Sequence, residues 1–262
     1  MSDTVLMERR DRVALLTLNR PDRANTLNGE LIGALQQHAA EAARDPSVRA
    51  IIVTGAGRHF CGGADLRAMA GAPRPAATLP GPGIALDWVP KPVIAAINGA
   101  AMGGGCEIAL SCDFRLIAST AKIGLTEIRF GALPAGGGTA RAPRIVGLRE
   151  AKKLIMIGEP VDAAEALRIG LVDEVLAPDA LLPRAFELAD LLATRAPYAM
   201  RTAKQLLNRA LDVDLATALE LERTMIARMA TPAEMQEARD EAAARSSTYA
   251  NIFAKPDAAK AD

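Results

Sequence analysis

Histidine and cysteine, the residues that most often bind metals or attack substrates, are scarce in this sequence. Its 262 residues include two histidines and three cysteines, and Cys61, Cys106 and Cys112 lack the paired spacing of a zinc site or a redox motif. The sequence contains no Gly-x-Ser-x-Gly elbow, and no lysine follows a glycine run as in a phosphate-binding loop. We therefore expect no metal site, no serine hydrolase triad and no phosphate-binding loop of that type.

The sequence also lacks an excess of charge of either sign. Lysine and arginine together number 31, as do aspartate and glutamate, so the net charge is zero and nothing indicates a nucleic-acid partner. No apolar run approaches the length of a membrane span, and the start Met1–Thr4 has neither the basic nor the apolar run of a signal peptide. We expect no membrane partner and a cytoplasmic location.

Glycine, in contrast, is concentrated in two phrases that resemble each other. Residues 51–56 continue to Cys-Gly-Gly-Ala-Asp at 61–65, and residues 93–100 continue to Gly-Gly-Gly-Cys-Glu at 103–107. Each phrase predicts a short apolar strand, a Gly-Ala turn and a glycine cluster that ends in an acid. Because glycine lets the backbone approach a ligand closely, two such turns that face each other could aim two N–H groups at one oxygen.

The order of the predicted elements is typical of an α/β chain whose second half is mainly helical. Strands are predicted at 5–7, 13–18, 50–54, 93–98 and 113–118. Helices are predicted from the cap Asn28 to residue 45, from the cluster 103–105, and at 150–157, 162–168, 181–193, 198–211, 215–229 and from Pro232 onward.

The segment 68–92 is crowded with proline and glycine. It predicts a mobile loop of the kind that covers active sites, with a plain surface linker as the alternative.

The last helices carry many apolar residues that need cover from the core or from another subunit, and we predict oligomerisation for this reason. These residues are Leu215, Leu219, Leu221, Met225, Ile226 and Met229.

Two glutamates are the candidate chemical groups. Glu107 lies one helical turn after Gly104, whose N–H at a helix start can stabilise an anion; the alternative role of Glu107 is to compensate the helix dipole. Glu127 lies in an otherwise apolar segment, where its pKa should be raised so that it can act as an acid near neutral pH. The alternative for Glu127 is an exposed residue at a strand end.

These phrases together resemble the crotonase superfamily, the enoyl-CoA hydratases and isomerases, over about residues 5–200. The resemblance implies an α/β fold, a spiral of ββα units over 1–195, followed by a helical trimerisation region over 196–262. It also implies a homotrimer or a dimer of trimers. The matching segments are Asn19–Pro21, Arg23–Asn25, Phe60–Leu66, Lys91–Gly99, Gly103–Glu107 and Pro134–Thr139.

By this resemblance the substrate is a coenzyme A thioester and no separate cofactor is needed. The backbone N–H groups of Ala64 and Gly104 would hold the thioester oxygen. Arg23, together with the backbone around Ala24, Ala64, Asp65 and Leu66, would bind the nucleotide and pantetheine of CoA.

Since family hydratases carry one glutamate in each of the two corresponding phrases, Glu107 and Glu127 imply an enoyl-CoA hydratase that converts 2-enoyl-CoA to 3-hydroxyacyl-CoA. An enoyl-CoA isomerase or a ring-specialised hydratase is the alternative within enzymes, because one acid suffices to move a double bond. A noncatalytic acyl-CoA-binding protein is the alternative from another class.

Overall fold

The computed structural model describes residues 3–65 and 86–245. Leu66 and most of the loop predicted at 68–92 therefore lie outside the described residues. The strands are β1 Val5–Arg10, β2 Val13–Leu18, β3 Ala50–Gly55, β4 His59–Cys61, β5 Val93–Ile97, β6 Ala100–Met102, β7 Phe114–Ala118, β8 Lys122–Gly124, β9 Val161–Asp162 and β10 Glu174–Leu176. The helices are α1 Gly29–Arg44, α2 Gly104–Ser111, α3 Gly138–Lys152, α4 Ala163–Arg168, α5 Pro178–Ala193, α6 Pro197–Arg209, α7 Leu215–Ile226 and α8 Pro232–Arg245.

The strands form two sheets. The larger sheet has the order β1-β2-β3-β5-β7-β10, in which β1 and β2 are antiparallel and the later neighbours are parallel. The smaller sheet has the order β4-β6-β8-β9, with β9 antiparallel to β8. Three successive strand pairs place their first strand in the larger sheet and their second strand in the smaller sheet: β3 with β4, β5 with β6, and β7 with β8. The chain therefore advances in the predicted repeating ββα units.

The core lies on both faces of the larger sheet. All residues of β3 and β5 are buried, as expected for central parallel strands whose apolar runs are continuous rather than alternating. Helix α1 packs on β1 and β2, and α5 packs on β2, β3, β5 and β7. Asn28 begins α1 as predicted, since its side chain accepts a hydrogen bond from Leu31 N at 2.9 Å.

The helical half differs from the prediction at one place. Helix α3 begins at Gly138, twelve residues before the predicted start at 150. Pro143 and Gly147 interrupt its apolar pattern, and Gly147 has non-helical angles (φ 77°, ψ 160°). A single π-type turn, Lys153–Ile157, continues the element and confirms that 150–157 is helical.

The last helices are less buried than the rest of the chain. None of the residues of α7 is buried, and Leu215, Leu219 and Ile226 are exposed. Three of the apolar residues for which we predicted cover therefore lack it within the described chain, while Leu221, Met225 and Met229 are half-buried. No helix in the described ranges is long and apolar enough to cross a membrane.

Candidate active site

Asn98 links the two glycine-rich phrases. Its side-chain oxygen accepts a hydrogen bond from Gly55 N at 3.0 Å, and its amide nitrogen donates to Gly57 O at 2.9 Å. The turns after the two phrases also meet, since a Cβ placed on Gly63 would lie 2.8 Å from Met102 O and 3.8 Å from Gly104 N. The structure therefore brings together the two turns that could aim two N–H groups at one oxygen.

Ala64 pairs with Leu27 in a parallel β-bridge that orients its N–H group. Leu27 N donates to Gly63 O at 2.7 Å, and Asp65 N donates to Leu27 O at 2.9 Å. In this pattern the N–H of the middle residue points away from the partner strand. Gly104 is the first residue of α2, so its N–H has no acceptor within the helix. Within residues 3–65 and 86–245, no acceptor is found for either N–H.

Glu107 is buried in the first part of α2, with 4% of its surface exposed. Its Oε1 accepts hydrogen bonds from Gly136 N at 2.7 Å and Gly138 N at 2.8 Å. Burial raises the pKa of Glu107, while the two N–H groups and the Arg141 guanidinium act in the opposite direction. A carboxylate that is buried and held in this way does more than compensate a helix dipole.

Glu127 is half-buried at the start of a 3-10 turn, Glu127–Phe130, rather than at an exposed strand end. Its Oε2 is buried, and no hydrogen-bond partner for it exists in the part of the chain that the structure describes. Burial raises the pKa of Glu127, and the nearby charge of Glu107 raises it further. Glu127 therefore has the raised pKa that the apolar segment predicted.

Gly103 separates the two acids. A Cβ placed on Gly103 would lie 3.1 Å from Glu127 Oε1, and one placed on Gly104 would lie 4.0 Å from Glu107 Oε2. Gly103 itself has φ 52° and ψ −119°, a backbone conformation that requires glycine. Both carboxyl groups therefore border the turn that begins with Gly103 and ends with the free N–H of Gly104.

The residues predicted to bind CoA lie beside the same turns. Ala24 O accepts a hydrogen bond from Gly62 N at 2.8 Å, and Asp65 forms an ion pair with Arg20 at 3.0 Å. Arg23 is the exposed end of the 3-10 turn that precedes Ala24. The structure thus brings Ala24, Asp65 and Arg23 to the edge of the Ala64 turn, while Leu66 lies outside the described residues.

Sequence reasoning did not identify the groups that hold Glu107. The N–H groups of Gly136 and Gly138 come from residues 29 and 31 positions away. Arg141, which contacts the same loop, was also missed. A glycine run directly before a helix start is a signal of free N–H groups and could have indicated the first two.

In the described ranges, no group of three or more histidine, cysteine or acidic side chains could hold a metal ion. The three cysteines are buried, and burial raises the pKa of Cys61 and of Cys112 to about 12. They are therefore poor nucleophiles, and the two acids remain the chemical groups of the site.

Known proteins match this chain over most of its length. The family model described as enoyl-CoA hydratase/isomerase matches residues 8–249. The chain is 41% identical over 230 residues to the short-chain-enoyl-CoA hydratase of Clostridium acetobutylicum, with 84% of this chain and 87% of that protein covered. It is 39% identical over 236 residues to the 2,3-dehydroadipyl-CoA hydratase of Escherichia coli, with 89% and 92% covered.

Solved structures show the same relationship. The enoyl-CoA hydratase of Bacillus anthracis superposes with a TM-score of 0.83 at 34% identity, covering 93% of this chain and 96% of that chain. The predicted fold class, a crotonase-like α/β spiral, is confirmed. Since the family model spans nearly the whole chain and the relatives share this fold, the protein belongs to the enoyl-CoA hydratase/isomerase family, the crotonase superfamily.

Proposed function

We propose that the protein is an enoyl-CoA hydratase, which adds water across the 2,3 double bond of a 2-enoyl-CoA thioester to give a 3-hydroxyacyl-CoA. The observation that carries this proposal is the pair of carboxyl groups on either side of Gly103, one buried and one half-buried, next to two N–H groups for which the described chain offers no acceptor. The names of the relatives, short-chain-enoyl-CoA hydratase and 2,3-dehydroadipyl-CoA hydratase, support it.

The N–H groups of Ala64 and Gly104 would bind the thioester oxygen and stabilise the negative charge that it gains when water attacks Cβ. Removal of one such donor costs about 3–4 kcal/mol of transition-state stabilisation in a well-studied enzyme. Each N–H group should therefore contribute about as much to the rate of hydration as one of the two acids. This reaction needs no cofactor apart from the CoA that the substrate itself carries.

The surroundings of the two acids suggest different roles. Burial raises the pKa of both acids, but Glu107 Oε1 accepts two backbone N–H groups that oppose this and favour the carboxylate, so of the two acids it would act as general base on the attacking water. Glu127 is next to that negative charge and its Oε2 lacks a donor in the described ranges, which favours its protonated form. It would hold the same water and deliver a proton to Cα. One proton must then pass from Glu107 to Glu127 before the next turnover.

The alternatives predict different behaviour. An isomerase needs one acid to move a double bond, and a ring-specialised hydratase needs both acids but a different acyl pocket. A noncatalytic acyl-CoA-binding protein needs neither acid. The presence of both carboxyl groups beside the same turn favours hydration.

Arg23, Ala24, Asp65 and Leu66 belong to the proposal as the CoA-binding residues. Arg23 supports this role because its exposed cation precedes Ala24, whose carbonyl is bonded to the glycine turn of the site. A cation at that position could pair with a phosphate of CoA.

We also propose assembly as a homotrimer or a dimer of trimers through the region 196–262. Its support is the exposure of Leu207, Leu211 and Leu215, at 73%, 70% and 75% of their surfaces. Sedimentation at working concentration tests this proposal, and a monomer would contradict it.

A panel of enoyl-CoA thioesters tests the proposed function. Hydration is expected to remove the absorbance of the conjugated enone, and Glu127→Gln should abolish that loss for crotonyl-CoA. Product analysis with 2-enoyl-CoA and 3-enoyl-CoA separates the hydratase from the isomerase. Tight CoA binding without turnover of any thioester would instead indicate the noncatalytic alternative.

A further inference from the structure

Arg141 joins the loop that holds Glu107 to a distant part of the chain. Its Nε and Nη2 both lie 2.8 Å from Asp87 Oδ2, and its Nη1 donates to Gly136 O at 2.8 Å. A Cβ placed on Gly137 would collide with the Arg141 guanidinium. The guanidinium therefore lies directly across the loop 136–138.

Gly136 is held from both sides by this arrangement. Its carbonyl accepts the hydrogen bond from Arg141, and its N–H donates to Glu107 Oε1 at 2.7 Å. Both hydrogen bonds restrain the same residue, so loss of the one to Arg141 removes a restraint on the N–H group that Glu107 accepts. The position of Glu107 Oε1 therefore depends on the position of the Arg141 side chain.

Asp87 is itself fixed by helix α6. Asn208 Nδ2 donates to Asp87 O at 2.8 Å. Lys204 is buried on the same helix, where its Nζ lies 2.6 Å from Asp113 Oδ2, 3.0 Å from Lys91 O and 3.4 Å from Leu86 O. The short 3-10 turn Leu86–Trp88 that carries Asp87 is thus held by α6 independently of its contact with Arg141.

We infer that Arg141, clamped by Asp87, is a positioning residue for Glu107, an inference that rests on the proposed function. Arg141 fixes the Gly136 N–H group that orients the carboxylate, and its cation favours the charged form that a general base needs. It acts through Gly136 and is not placed in contact with substrate.

A purely stabilising role explains the pair less well. The side chains of Arg141 and Asp87 are 18% and 28% exposed, and ion pairs at such depth contribute little net stability because desolvation offsets their attraction. Asp87 Oδ1 is buried and has no partner within the described chain, which adds to the cost. The gain from this pair is therefore the orientation of the loop 136–138.

Arg141→Gln tests the inference, with Arg144→Gln as the matched control. Arg144 lies on the same helix and pairs with Asp212 at 3.0 Å, but both side chains are about half exposed. We expect Arg141→Gln to lower kcat for crotonyl-CoA by about 10²-fold, as for a misplaced catalytic group, with KM changed little. Arg144→Gln should retain wild-type kcat. Arg141→Lys should rescue kcat only in part, because a compact ammonium lacks the planar fork with which the guanidinium donates to Asp87 through Nε and Nη2 and to Gly136 O through Nη1.

A titration provides a readout that does not depend on turnover. Arg141 and Glu127 are the charged groups that act on Glu107 in the described ranges, so the Glu107 carboxyl is followed by NMR in a Glu127→Gln background. Loss of the Arg141 cation should raise the pKa of Glu107, and Arg144→Gln should leave it unchanged. The acid limb of the kcat/KM profile should move to higher pH in Arg141→Gln.

The outcomes separate the inference from the proposed function. If the wild type hydrates crotonyl-CoA and Arg141→Gln does so equally well with an unchanged Glu107 titration, the inference is wrong and the function stands. If the wild type hydrates no enoyl thioester, the function is wrong, and the titration alone still decides whether Arg141 acts on Glu107. Should Arg141→Gln fail to fold, Arg141→Lys and Asp87→Asn take its place in both measurements.

Discussion

The turn that separates the two acids can be tested by replacing Gly103 with alanine. Gly103 has φ 52° and ψ −119°, where an alanine Cβ introduces backbone strain. The new Cβ would also lie 3.1 Å from Glu127 Oε1 and 3.3 Å from Glu127 Cδ, so the carboxyl group must shift by a few tenths of an ångström. The substitution therefore strains the backbone and displaces one acid without removing it.

The two effects have separate magnitudes. Strain at such a position costs about 1–3 kcal/mol, so the free energy of unfolding should fall by that amount. A catalytic group displaced by about 1 Å loses about 10²-fold in rate, and a smaller shift should lower kcat by about 10-fold or somewhat more. KM should change less than kcat, because Arg23 and Ala24, the residues proposed to bind CoA, are untouched.

Gly33→Ala is the matched control. Gly33 is exposed within α1, where a Cβ meets no atom within 4 Å. Alanine there should raise the free energy of unfolding by about 0.4–1 kcal/mol and leave kcat unchanged.

Urea unfolding at one fixed protein concentration measures the stability, since assembly would make it concentration-dependent. Initial rates of enone absorbance loss measure kcat and KM. A Gly103→Ala variant with wild-type stability and kcat would refute the reasoning, as would a Gly33→Ala variant with an equal loss of activity.

Three further substitutions have expected outcomes. Glu127→Gln should become more stable than the wild type as pH rises. The pKa of Glu127 is raised in the folded chain, so the wild type has its full stability below the ordinary pKa of 4.5. It loses stability as pH rises through the folded pKa, because the folded chain must then hold a partly buried charge that glutamine does not carry. Urea unfolding at several pH values measures this, and a difference that does not grow with pH would contradict it. Lys204→Met should lower the free energy of unfolding by about 3–5 kcal/mol, because it leaves the Asp113 carboxylate without its buried partner. A loss below about 1 kcal/mol would contradict a stabilising role for the Lys204–Asp113 ion pair. Leu215→Asp should weaken subunit assembly, and sedimentation that matches the wild type would exclude Leu215 from the interface.

The local elements of the fold could be predicted because their signals lie within a few residues. Asn28 accepts a hydrogen bond from Leu31 N, three positions later, and residues 50–53 of β3 form an uninterrupted apolar run. The start of α3 was missed because Pro143 and Gly147 break its pattern. The division at residue 195 stays a prediction, and the buried Lys204 shows that α6 beyond it is bound to the first part of the chain.

The candidate site was predictable in its residues but not in its contacts. The glycine cluster and the apolar segment indicated Gly104, Glu107 and Glu127, and the family resemblance added Ala64 and the role of each residue. The hydrogen bonds that distinguish the two acids join residues 29 and 31 positions apart, and Arg141 reaches Asp87 across 54 positions. No pattern in the sequence specifies which distant backbone group meets a given side chain, because that depends on how the sheets and helices pack.

The sequence by itself therefore determined the alternation of strands and helices, the two glycine turns and the acids that follow them, since short-range hydrophobic spacing and turn residues encode these features; the ββα units were implied by the family resemblance. Only the tertiary structure decided that Glu107 is held by two N–H groups, that Glu127 Oε2 is buried without a partner in the described chain, and that Arg141 connects the site to α6. The physical reason is that burial and long-range hydrogen bonds set the charge state and orientation of an acid, and both arise only when distant segments pack together.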